Sequence, residues 1–149
     1  MFTIVTGLIN IGREHWGTYY ARKFTDYLIH MEKVILRLNV PMIIFVEPEL
    51  VNFVTIKRQG MPTLILETKL EEARLYRHLN KITQIQKSPE YQKQVAQKDK
   101  DCPEYSVPLY NVAVNNKMDW LARGAFLNPF KTEYFVWLDA GFGHGKYTI

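Results

Sequence analysis

The chain contains a single cysteine, Cys102, among 149 residues. A lone thiol excludes an intrachain disulfide and any zinc site built on cysteines, and it is compatible with a reducing compartment. Long hydrophobic runs are also missing. No stretch approaches the roughly 18 to 20 apolar residues needed to span a bilayer, which limits any membrane contact to a peripheral one. The opening residues, Met1-Phe2-Thr3-Ile4-Val5-Thr6, offer neither a basic segment nor the apolar length of a signal peptide. They read as a structural strand, and the cytoplasm is the expected location. Charge of one sign is scarce, since 19 basic against 15 acidic residues leave only +4. No aromatic-basic alternation accompanies that excess, so no nucleic-acid partner is expected. An anionic small molecule fits the mild positive balance. Gly7, Gly12 and Gly17 match neither GxGxxG nor a P-loop, which argues against dinucleotide binding in the Rossmann manner. His15, His30, His78 and His144 lack metal-ligand spacing such as HExxH.

What is present belongs to a globular domain: 47% of residues are hydrophobic and 13% aromatic. A chain of this length suits one domain with a substantial core. Residues 3–6 are a β-branched run closed by Gly7. Residues 42–46 and 63–66 are further apolar strands, ending at Glu47-Pro48 and Glu67-Thr68. The last, Tyr134-Phe135-Val136-Trp137-Leu138, is unbroken and predicts a strand buried on both faces. Between them, apolar residues at three- and four-residue spacing predict an amphipathic helix over 20–38. A short helix over 49–59 closed by Gly60 is expected, with a helix-prone stretch over 69–87 broken near 78–81. Pro108 opens a helix to about 126, and the polar segment 88–107 reads as a long excursion with little order. The order β-α-β-α-β-α-(loop)-α-β predicts an α/β fold, a predominantly parallel, Rossmann-like sheet flanked by helices, in a single domain over 1–149.

Ligands of such sheets gather at the carboxyl ends of the strands. The polar residues there are Asn10, Gly12 and Arg13 after strand one, Glu47 after strand two, Glu67 after strand three and Asp139 after strand four. Arginine presents a planar fork to phosphate oxygens, and aspartate is a hard oxygen ligand for magnesium or manganese. Together they suit a phosphate-bearing ligand that brings a divalent metal. Asp139 also begins an Asp-x-Gly sequence, which is common turn chemistry. His144, between Gly143 and Gly145, is a candidate second ligand near Asp139. Lys117, on the helix before the last strand, is a candidate to reach a phosphate from the side, though a helix lysine is more often simply solvated.

In order and spacing, Thr3-Ile4-Val5-Thr6 with Ile11-Gly12-Arg13, Pro41-Met42-Ile43-Ile44-Phe45, Pro108-Leu109-Tyr110 with Lys117, and Trp137-Leu138-Asp139-Ala140-Gly141 resemble the HtrL/YibB family. The resemblance covers nearly the whole chain. That family is often linked to bacterial surface-polysaccharide loci and looks related to the N-terminal half of GT-A glycosyltransferases. The resemblance therefore implies a nucleotide-sugar donor at the strand ends, an unidentified acceptor, and a divalent metal (Mn or Mg) on the diphosphate. It would place Thr6, Asn10, Gly12, Arg13 and Lys117 at the nucleotide-sugar and Asp139, with His144, at the metal. The typical motif carries a second aspartate where this chain has Gly141. GT-A enzymes also place the acceptor site in a following half, so the chain reads as an N-terminal part or a reduced form. The rival expectation is a non-catalytic α/β domain that binds a ligand or partner without turnover. A metal-dependent phosphoesterase is a weaker third, because no clustered Asp/His set appears.

Overall fold

A computed structural model describes residues 1–17 and 19–142. Four strands, β1 (Phe2–Leu8), β2 (Met42–Val46), β3 (Thr63–Glu67) and β4 (Tyr134–Trp137), form one sheet in the order β3-β2-β1-β4. Every pairing is parallel, with Val5 opposite both Ile43 and Trp137. The expected α/β architecture is therefore present. β1 and β2 are buried almost throughout because each is paired on both sides and covered on both faces.

Side chains alternate between the faces and define two cores. On one face Ile4, Leu8, Ile44 and Val46 meet α1 (Phe24–Lys33), the turn Ile35–Arg37 and α2 (Val51–Lys57) through Met31, Ile35, Leu36 and Val54. On the other, Val5, Ile43 and Phe45 meet α3 (Leu79–Lys87) and α6 (Pro108–Leu127) through Ile82, Val112, Trp120 and Leu121. Gly124 lets α6 approach closely: a Cβ there would lie 2.9 Å from Val5 Cγ2. Asn128 ends α6 in the left-handed region at φ 36°, and its carboxamide accepts the Thr132 N–H at 2.9 Å.

Several boundaries differ from the sequence reading. The first helix begins at Phe24, so residues 20–23 belong to the loop that leaves β1. The stretch expected to be helical from 69 starts as two single turns, Leu70–Glu72 and Tyr76–His78, before α3. Segment 88–107 is more ordered than its polarity suggests, with α4 (Pro89–Gln94) and α5 (Pro103–Ser106). Ser88 caps α4 by accepting the Tyr91 N–H, and proline occupies the first turn of each helix. The largest correction concerns β4. It was expected to be buried on both faces, but it is an edge strand with Tyr134 64% and Val136 47% exposed. Phe135 and Trp137 face the α6 core, and no described element covers the opposite face. Apolar continuity requires only one buried face when aromatic and branched residues occupy the other. No helix among the described residues is long and apolar enough to cross a membrane.

Candidate functional site

The chain leaves β1 toward β2 and β3 on one side, with α1 and α2 on one face. It then returns through α6, on the opposite face, to β4 on the other side of β1. The carboxyl ends of β1 and β4 are thus the point where strand order reverses, where open α/β sheets bind ligands. A cleft of about 640 Å³ opens there.

Helix α6 supplies one wall. Tyr110, Ala113, Val114, Lys117 and Trp120 recur at helical spacing and all line the cleft. Its floor is an aromatic stack in which Trp120 lies between Phe45 (centroids 5.4 Å) and Trp137 (5.9 Å). Gly7 makes room for that stack, since a Cβ there would meet the Trp120 ring at 2.7 Å and the Phe45 carbonyl at 3.1 Å.

The opposite wall is the loop after β1. Asn10 anchors it: its N–H donates to Glu47 Oε2 and its Oδ1 accepts the Gly12 N–H, both at 2.9 Å. Gly12 takes the left-handed conformation (φ 67°) that turns the chain into residues 13–15. Burial pushes the Glu47 carboxyl above its ordinary range, against the lowering effect of the Asn10 N–H. Arg13 then enters an aromatic enclosure. Its guanidinium lies 5.2 Å from the Trp16 ring, 5.7 Å from Tyr27 and 5.9 Å from Tyr110. Its Nε donates to the Tyr20 carbonyl at 3.0 Å and its Nη1 to the Tyr27 hydroxyl. Arg22 lines the same side, where its Nη1 donates to the carbonyls of Tyr19 and Ala21.

The polar centre is a three-residue hub. Lys117 Nζ lies 2.5 Å from Asp139 Oδ1, and the Trp137 indole N–H donates to the same oxygen at 2.9 Å. Burial would raise the Asp139 carboxyl, but these hydrogen bonds and the lysine charge outweigh it and hold the group below the ordinary carboxylate range. Asp139 also opens a turn, its carbonyl accepting the Phe142 N–H at 2.9 Å, as its Asp-x-Gly sequence predicts.

Of the residues singled out from the sequence, Asn10, Arg13, Lys117 and Asp139 line one cleft. Gly12 shapes the loop behind it. Thr6 lies elsewhere: it shares the Ile4 and Leu8 face of β1, is fully buried, and its hydroxyl has no hydrogen-bond partner among the described residues. Glu67 is exposed at the far edge, on β3. His144 lies outside the described residues.

A family model described as "Bacterial protein of unknown function (HtrL_YibB)" matches residues 1–149. The chain belongs to the HtrL/YibB family. Protein HtrL of Escherichia coli (strain K12) is 28% identical over 149 residues, covering 95% of this chain and 51% of the relative. The chain therefore spans about half the length of the curated relative it matches. No solved structure matches.

Among the residues of this HtrL/YibB cleft that sequence reasoning missed are Arg22, Tyr27, Tyr110 and Trp137. Three of them resemble core or solvent positions when periodicity alone is read. Tyr110 carried a signal, standing seven residues before Lys117 and so on its helix face. Among the described residues, Asp139 is the only acidic side chain lining the HtrL/YibB cleft, and no group of three or more His, Cys, Asp or Glu is gathered. A cation on Asp139 Oδ1 would stand against the Lys117 ammonium already there.

Proposed function

We propose that the cleft binds a nucleotide-sugar, and that this chain is the donor-binding part of a glycosyltransferase-like protein acting on a bacterial surface saccharide. The observation that carries the reading is the meeting of Lys117, Arg13 and Arg22 above an aromatic floor at the switch point of a parallel sheet. The cleft falls within the ~300–1,000 Å³ typical of small-molecule sites. Aromatic faces suit a base or sugar ring, and the cations suit phosphate oxygens. Glycosyl transfer breaks the bond between the sugar carbon and a diphosphate oxygen. Cations preplaced at the leaving oxygens would stabilise the negative charge that develops there.

Titration calorimetry with a panel of UDP-, GDP- and CMP-sugars is the direct test. Saturable binding by one donor class, weakened in Lys117→Met, is the expected result. No heat with any donor sinks the reading.

One observation favours binding without turnover. Among the described residues, the single carboxylate lining the cleft is paired with Lys117 and held below its ordinary range, which makes it a weak proton acceptor. A donor that binds, yet is neither hydrolysed nor transferred on prolonged incubation, would favour that second reading.

A further inference from the structure

We propose that the anion site of this cleft needs no divalent cation, because the protein supplies the counter-charge itself through Lys117, held in place by Asp139, with Arg22 and Arg13 on the facing wall. The inference rests on the reading of the cleft as a diphosphate site and specifies how that diphosphate is held.

The argument begins with the charges. Among the described residues, three cationic side chains and one acidic one line the cleft, leaving two net positive charges. That balance matches the two ionised oxygens of a nucleotide-sugar's diphosphate bridge without a metal. Lys117 is suited to its part because its side chain is only 29% exposed and its ammonium is located by a defined partner. An ammonium carries three donors. Asp139 accepts one, and no other acceptor meets the ammonium among the described residues. Asp139 also accepts the Trp137 N–H, so one oxygen fixes both the ammonium and the ring beside it. The Lys117 ammonium lies 6.0 Å from the centre of that ring. Asp139 thus acts as a positioning residue for a fixed cation. The same contact opposes a metal at this oxygen, since two positive centres would compete for it.

The facing wall adds rigidity. Arg13 is held by the Tyr20 carbonyl, the Tyr27 hydroxyl and three rings, so its charge is placed before any ligand arrives. Little side-chain entropy then remains to be lost on binding.

Calorimetry with inorganic pyrophosphate and with UDP, each in excess EDTA and in excess manganese chloride, tests this. The expected result is binding in EDTA within about threefold of that in manganese. Lys117→Met should weaken both ligands about 10- to 100-fold in EDTA, as loss of a charged hydrogen bond does, and Lys117→Arg should restore part of it. Circular dichroism melts of the variants show that they fold. Wild-type binding that vanishes in EDTA and returns with manganese overturns this inference alone. Unchanged binding in Lys117→Met overturns it too. No binding of either ligand in either buffer overturns the diphosphate reading as well.

Discussion

The two ends of the sheet both hold a cation among polar partners, to opposite purposes. At the amino end, Arg58 follows α2 and is 2% exposed. Its guanidinium donates to the carbonyls of Leu38, Val40 (2.9 Å) and Pro62 (3.2 Å) and to the Thr63 hydroxyl (2.9 Å). These groups flank the starts of β2 and β3, so one side chain ties together the chain segments entering both strands. At the carboxyl end, Lys117 faces a cleft and pairs with an Asp139 side chain that is 57% exposed. Arg58 has used its fork mostly on fixed main-chain acceptors, while Lys117 has one acceptor, Asp139, among the described residues. Burial and partner type, rather than charge, separate a structural cation from one that can meet a ligand.

The contrast is broken most directly at Arg58. Arg58→Ala removes the donor for several buried carbonyls and leaves a void, and should destabilise the protein by about 3–5 kcal/mol in urea unfolding. A loss below about 1 kcal/mol would show that the amino end does not depend on it. Next in size is Gly7→Ala, which presses a methyl group into the Trp120 ring and should cost about 1–3 kcal/mol, with a changed near-ultraviolet dichroism. An unchanged aromatic signal would mean the stack can yield. Lys117→Met should leave unfolding within about 1 kcal/mol of wild type, because a partly exposed ion pair contributes little. A large stability loss would make Lys117 a second structural cation and erase the distinction.

The smallest effect is in pH dependence. Asp139 has a folded pKa below its unfolded value, so the stability it contributes is present above the unfolded value. That contribution fades as the pH falls through the folded pKa. Asp139→Asn should flatten this acid-side slope in melting temperature measured from neutral pH downward. Parallel slopes for variant and wild type would show that the Lys117 contact is absent in solution.

Much of this arrangement was legible in the residues. Strand ends follow from where apolar runs stop, and that alone puts Asn10, Arg13 and Asp139 at one edge of the sheet. Their adjacency depends on β1 and β4 being neighbours, which local pattern does not encode. The partnership of Lys117 with Asp139 spans a helix end, a turn and a strand, and only tertiary structure joins them. Thr6 lies within β1, on the face opposite Gly7 and short of the strand end, so it is fully buried and does not reach the cleft that Gly7 and Leu8 line. For β4, hydrophobicity reports that a face can be buried, never that it is. Segment 88–107 concealed its helices because Ser88-Pro89 and Cys102-Pro103 signal helix starts inside a composition that reads as loop.

The aromatic stack also gives the molecule an optical voice of its own. The sequence holds three tryptophans. Trp120 and Trp137 line the cleft, and Trp16 packs edge-on against Tyr110 and over Arg13 at its rim. Every indole emitter in the chain therefore stands at one site. Intrinsic fluorescence needs no label here and carries no background from a distant tryptophan. Quenching or a spectral shift on titration reports occupancy of this cleft, and a library of unlabelled anions can be screened by light alone.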